Sequence, residues 1–174
     1  MDDPDNAAAF CNYGNVMREL GHPGRAIPFL QHAILLDSTN ITAQFNLAVA
    51  YLAMGNYQDG WQQYEHRWNY EHLAGQLPVY DKPRWTGQDL KGKTILAFGE
   101  QGHGDIIQFS RYIYNLHQMG AKIYFYVTEG LVPLFHSPMI ERVSGYVEPD
   151  FDFDYWVPLM SIPGILGVTL RSEE

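Results

Sequence analysis

Cysteine is nearly absent: Cys11 is the one thiol in 174 residues. A lone cysteine excludes an internal disulfide and any cysteine-rich zinc site, and Cys11 lies in a helix-patterned segment where a small buried apolar residue fits. Basic residues are scarce as well. Lys and Arg number 11 against 20 Asp and Glu, a formal net charge of -9, and they form no block. Such a chain would be repelled by a phosphate backbone or an anionic membrane surface, which sets nucleic-acid binding aside. No apolar run is long enough to span a bilayer, and the acidic start "MDDPDNAAAF" has neither the basic nor the apolar region of a secretory leader. A cytoplasmic location is the expectation. No metal-ligand cluster and no nucleophile triad can be assembled, so neither metal nor cofactor is expected. What is present is 46% hydrophobic and 14% aromatic residues, enough for a packed core in one domain or two small units.

The first half matches itself when displaced by 34 residues, setting "AAAFCNYGNVMRELGHPGRAIPFLQHAILLDSTN" over "ITAQFNLAVAYLAMGNYQDGWQQYEHRWNYEHLA". Asn12 then meets Asn46, Tyr13 meets Leu47, Gly14 meets Ala48, Gly21 meets Gly55, Ala26 meets Gly60 and Leu30 meets Tyr64. Small residues where helices cross, larger apolar ones at helical spacing and a glycine at the turn describe a helix-turn-helix repeat.

This half resembles the tetratricopeptide repeat family, with Gly14, Gly21, Ala26 and Ala33 at its small and turn positions. The second unit departs from the pattern at Arg67, where the family has alanine. An oversized residue there would crowd a further repeat helix, so the array is expected to end here, with "GWQQYEHRWNYEHL" as a terminal helix presenting Trp61, Tyr64 and Trp68. The resemblance implies that Asn12 and Asn46 face a concave groove in which an amide bonds the backbone of an extended peptide, as in the asparagine ladder of O-linked GlcNAc transferases. The plain alternative is an exposed helix asparagine with no such role. Repeats are expected over residues 7–72, followed by a Pro/Gly-punctuated linker over 73–92.

From residue 93 to 174 the pattern changes to alternating strands and helices. "KTILAFGE" is strand-like, "DIIQFSRYIYNLHQMG" has helical spacing and closes on Gly120, and "AKIYFYVTE" is a second strand. A short helix in "EGLVPLFHS", a strand near "VSGYV", and "FDYWVPLMSIPGIL", a strand running into another short helix, complete a parallel sheet. The fold class expected is therefore α plus α/β: two helical repeats, then a partial Rossmann-like sheet. Its ligand edge lies at the strands' carboxyl ends, where "GEQGHGD" sits. That loop is neither a dinucleotide fingerprint, since its glycines run in another order, nor a P-loop, since Asp105 and Ile106 follow the last glycine where Lys and Ser or Thr are required. An acid at the helix start would oppose a phosphate on the first-turn amides. The loop suits a neutral, hydroxyl-bearing ligand.

"PRWTGQDLKGKTILAFGEQGHGDIIQFSRYI", followed by "FDFDYWVPLMSIPGILG", resembles bacterial proteins in which tetratricopeptide repeats precede a GT-B glycosyltransferase related to heptosyltransferases and O-linked GlcNAc transferases. Pro83-Arg84-Trp85, the Gly-Glu-Gln-Gly-x-Gly-Asp loop, Arg111-Tyr112 and Ser161-x-Pro163 stand in order, so the likeness covers nearly the whole chain. It implies Asp105 as general base toward an acceptor hydroxyl. Deprotonating a sugar hydroxyl needs a carboxylate within hydrogen-bond reach, and flanking glycines let substrate approach the backbone. The alternative role for Asp105 is a first-turn helix acid, worth about 0.3 to 1 kcal/mol.

Glu100 and Gln101, with Gly102 and Gly104, either meet hydroxyls from the loop or tie the turn together. His103 has a pKa range suited to acid-base work or is simply solvated. Arg111 neutralises an acidic group or pairs with a nearby carboxylate. Arg84 and Trp85 dock the linker onto the sheet.

In the resembled enzymes a second Rossmann-like domain holds the nucleotide-sugar, and "TLRSEE" falls partway through the first. The expectation is a glycosyltransferase-derived binding or scaffold module, with protein contact through the repeats and a vestigial or acceptor-side sugar site. Two other readings stand beside it: part of an active transferase completed by other residues, and a pure peptide-binding adaptor. An unpaired sheet edge and aromatic surface around Tyr124, Tyr126, Tyr155 and Trp156 are expected to drive self-association.

Overall fold

A computed structural model of the chain describes residues 6–70, 73–146 and 151–169. The chain divides into two compact units between Val79 and Tyr80, the first also taking in residues 167–169 and the second running Tyr80–Leu166.

The first unit is helical: α1 (Ala7–Glu19), α2 (Pro23–Leu36), α3 (Ile41–Ala53) and α4 (Tyr57–Tyr64). Asn6 and Asn40 open α1 and α3 alike, each side-chain oxygen accepting from a backbone N–H three residues on, Ala9 and Ala43, at 2.9 Å. These bonds satisfy donors that a helix start leaves orphaned. Gly21 and Gly55 close the same two helices at φ of 78° and 76°. The N–H groups of His22 and Asn56 then return to the carbonyls of Met17 and Tyr51. Each of these pairs is 34 residues apart, so the period read from the side chains recurs in the cap geometry.

Close helix crossings need small residues, and they stand where the spacing put them. A Cβ on Gly14 would lie 2.6 Å from Leu30 Cγ, and one on Gly60 would lie 2.6 Å from Leu52 Cδ2. Ala26 and Leu30 of α2 pack on Leu47 and Ala50 of α3, while Cys11 and Ala33 pack on Ala43. Cys11 is a buried free thiol. Burial raises its pKa against the pull of a hydrogen bond with Asn46, which keeps it in the unreactive form.

The expected terminal helix is shorter than its sequence pattern. α4 stops at Tyr64 and the chain tightens into a 3-10 segment over Glu65–Asn69; Glu71 and His72 lie outside the described residues. The physical reason is Arg67, which is fully buried. Its Nη1 donates to the Tyr64 carbonyl at 3.2 Å, the acceptor an α-helix would offer to Trp68, and to Glu65 Oε1 at 3.0 Å. The guanidinium also lies 4.4 Å from the Trp68 ring. Tyr64 and Trp68 are themselves buried, so of the three aromatics expected to be presented, these two are core.

The second unit is a four-stranded parallel sheet in the order β3-β2-β1-β4. Its strands are β1 (Thr94–Phe98), β2 (Lys122–Tyr126), β3 (Arg142–Ser144) and β4 (Tyr155–Pro158). Val147, the last residue of the stretch expected to hold the third strand, lies outside the described residues. α5 (His103–Phe109) and α6 (Tyr112–Gln118) lie between β1 and β2, and a 3-10 segment (Glu129–Phe135) between β2 and β3. After β4 comes a 3-10 turn (Leu159–Ser161) leading into α7 (Ile162–Leu166).

Two expectations need correction. The helix closing on Gly120 is two helices, because Ser110 Oγ donates to the Ile107 carbonyl at 2.7 Å and the next backbone bonds tighten to three-residue spacing, Ile113 to Ser110 and Tyr114 to Arg111. The sheet is also not bare at its β4 edge. Arg84 forms a parallel bridge with Trp156, and Trp85 N–H donates to the Trp156 carbonyl at 2.8 Å. Trp156 is buried, its indole Nε1 donating to the Lys82 carbonyl at 2.8 Å and its ring meeting Tyr80 edge-on. Tyr124, Tyr126 and Tyr155 are part-buried, Tyr124 with Phe151 at 4.0 Å between ring centroids. Residues 80–92, whose composition reads as linker, thus belong to the second unit.

Among the described residues no helix is long and apolar enough to cross a membrane.

Asp154 pins the start of β1 to β4. Its carboxylate accepts from Thr94 N–H at 2.8 Å and from Lys93 Nζ at 2.9 Å. These contacts, the backbone bond first, lower its pKa. A carboxylate held below its unfolded value contributes stability above that value and loses it as pH falls through the folded one. Asp154→Ala is therefore expected to lower Tm at neutral pH, with the gap to the parent closing below about pH 4; melting curves at stepped pH measure it. Gly14→Val forces atoms into Leu30, and a loss of about 1 to 3 kcal/mol is expected in urea unfolding.

Candidate functional site

Strand order decides where a crevice opens. The chain moves outward from β1 to β2 and β3, then returns across the sheet to lay β4 on the other flank of β1. Loops leaving β1 and β4 part at their carboxyl ends, the place where open parallel sheets form ligand crevices. Glu100 spans that division. Only 7% exposed, its carboxylate accepts from Met160 N–H at 3.0 Å. Beside it Ser161 is buried, its Oγ accepting from Arg84 Nη2 at 2.8 Å. α5 packs on the same Leu159–Ser161 turn.

The loop from β1 is held tightly at its base and loosely at its crest. Gly99 N–H extends the ladder by donating to the Tyr126 carbonyl at 2.7 Å. A Cβ there would lie 2.9 Å from Ile106 Cδ1, so only glycine lets α5 sit this close. Gln101 follows at φ 62°, the one non-glycine with positive φ among the described residues. Gly102 is the N-cap of α5, and its N–H donates to Asp105 Oδ2 at 3.2 Å. That is the one hydrogen bond of the Asp105 carboxylate among the described residues, and the side chain is half-buried. His103 and Gly104 are exposed in the first turn, and a Cβ on Gly104 would meet nothing within 4 Å.

Glu100, Gln101, Gly102, His103, Gly104 and Asp105 are thus gathered on one loop, while Arg111 is placed elsewhere. It sits at the junction of α5 and α6, its Nη2 donating to the Tyr112 hydroxyl at 3.2 Å. It lines a hollow of about 260 Å³ with Ile107, Tyr114, Leu134 and Met139. The two repeat asparagines differ as well. Asn12 is exposed, whereas Asn46 is buried. Among the described residues no group of His, Cys, Asp or Glu is arranged to hold a metal ion.

The part that the residues alone did not expose is the second wall, formed by the Leu159–Ser161 turn with Arg84. A serine set among apolar residues at a strand's carboxyl end, "LMSIP", is the signal for it, since a buried hydroxyl there needs a partner.

No protein-family model matches the chain, and no solved structure matches it. Among known proteins it is similar to Protein FlbA of Caulobacter vibrioides, 28% identical over 180 aligned residues that cover 90% of this chain. The match takes in 30% of FlbA, so the chain spans less than a third of that relative's length.

Replacing Glu100 with leucine leaves the Met160 N–H buried without its acceptor, an expected cost of about 1 to 3 kcal/mol. Glu100→Gln keeps a carbonyl oxygen in that place, and urea unfolding of the two variants should rank it closer to the parent.

Proposed function

We propose that the second unit carries the acceptor-side half of a glycosyltransferase-type sugar site, that the helical unit is a tetratricopeptide-type protein contact, and that together they act as a binding or scaffold module. The observation that carries this reading is the Glu100 bond to Met160 at the strand-order reversal, which ties the loop carrying Asp105 to the turn after β4. A carboxylate with one of its two oxygens bonded has the other available for a hydroxyl proton. Space over Gly104 lets a ligand approach the first turn. The loop carries no lysine or arginine, in keeping with a neutral polyhydroxyl ligand rather than a phosphate.

A second reading draws on the relative: the matched segment is 30% of FlbA, so in that protein the same elements belong to a longer chain. By this reading the site is part of an active transferase whose nucleotide-sugar half lies in other residues. The repeats then bring the acceptor.

A thermal-shift titration against uncharged sugars, nucleotides and nucleotide-sugars separates these possibilities, since a ligand at about 100 times its Kd adds about 2.7 kcal/mol. A saturable rise with an uncharged sugar, lost in Asp105→Ala, is expected on the module reading. A rise with a nucleotide-sugar favours the transferase. A flat response throughout, or a rise that Asp105→Ala leaves intact, overturns the Asp105 site and leaves a peptide-binding adaptor.

A further inference from the structure

The connection from β1 to β2 carries two apolar sides where packing on a sheet needs one. Ile106, Phe109, Ile113 and Leu116 are buried, as the core side of a surface helix is. A second set, Ile107, Ser110, Arg111 and Tyr114, recurs at i, i+3, i+4 and i+7 and so lies along another side. That side of a surface helix is ordinarily polar. Here Ile107 and Tyr114 are 50% and 53% exposed, and Leu134, from the 3-10 segment after β2, is 64% exposed. With Tyr146 these are the large hydrophobic side chains exposed among the described residues of the second unit, and the three of them border one hollow. Apolar residues scattered singly need no explanation, but a gathered set marks a binding surface.

The hollow measures about 260 Å³. Roughly 150 Å³ holds benzene in an apolar cavity, so a small organic molecule fits. Leu134, Met139 and Ile140, from the end of the 3-10 segment and the approach to β3, form the wall opposite Ile107 and Tyr114. Water is a poor occupant of such a lining, because it needs several polar partners. Among the described residues that line the hollow, Arg111 is the one charged side chain, and none is Asp or Glu. The Tyr112 hydroxyl at 3.2 Å and the Tyr112 ring, 5.0 Å away, steady its guanidinium. A guanidinium stays protonated whatever it bonds, so what Arg111 brings is positive charge at an apolar surface. An anion with an apolar body complements both.

We propose that this hollow binds a small alkyl carboxylate, with its head beside Arg111 and its chain against Ile107, Leu134 and Met139. Every wall lies between residues 107 and 140, inside the second unit. The inference does not depend on a sugar site at Asp105.

Sodium octanoate titrated into the isotope-labelled full chain, with amide shifts followed by NMR, tests this. Saturable shifts centred on residues 107–114 and 134–140 are expected, with affinity rising about fourfold per methylene from hexanoate to octanoate. Arg111→Gln is expected to weaken octanoate about tenfold. Leu134→Asn is expected to abolish saturation while moving Tm by less than about 2 °C, as an exposed substitution does. Octylammonium binding as tightly as octanoate makes the hollow a plain apolar contact and overturns the proposal. Shifts centred elsewhere, no saturation, or saturation that Leu134→Asn leaves intact overturn it too.

Discussion

The candidate site depends on one buried carboxylate. Glu100 leaves β1 and bonds the backbone of Met160 after β4, joining two strands that are 60 residues apart in sequence and neighbours in the sheet. Burying a charge costs free energy unless hydrogen bonds replace the lost water. The bond therefore constrains both loops together, and a change in either is transmitted to the other. With the loop base held this way, its crest is free to take the positive φ at Gln101 and to cap α5 with Gly102, which in turn orients Asp105.

A different constraint shapes the helical unit. Backbones approach closely at Gly14 and Gly60, where any side chain would overlap a leucine, and the turns repeat because the same cap chemistry recurs. The recurrence ends at Arg67. A guanidinium placed where the first unit has Ala33 draws its hydrogen bonds from the Tyr64 carbonyl and Glu65 and converts the last turn of α4 into a tighter helix. At α4 the pattern is thus closed off by its own side chains.

Much of this was legible because it is local. Period and turn glycines act within a few residues, so Gly21 and Gly55 can be placed from sequence alone. The glycine loop and the alternation of strands with helices also follow from short-range pattern. Misreadings occurred where a particular hydrogen bond or burial overrides the general pattern. Helical spacing through "DIIQFSRYIYNLHQMG" is genuine, yet a serine hydroxyl takes a backbone carbonyl and divides it. Pro/Gly punctuation made residues 80–92 resemble a linker, although Trp85 and Leu90 are fully buried. The two repeat asparagines are equivalent in sequence and unequal in burial, Asn46 being buried and Asn12 exposed.

By itself the sequence determined the element types, the 34-residue period, the parallel alternation and the gathering of Glu100 to Asp105 on one loop, since neighbours in the chain cannot be separated. Only tertiary structure decided the strand order. That order sets the Leu159–Ser161 turn, with Arg84 bonded to Ser161, against the loop that leaves β1, while Arg111 lines a separate hollow. The physical reason is that parallel strands pair across long connections, so which strand flanks β1 is a choice of global packing that no local pattern records.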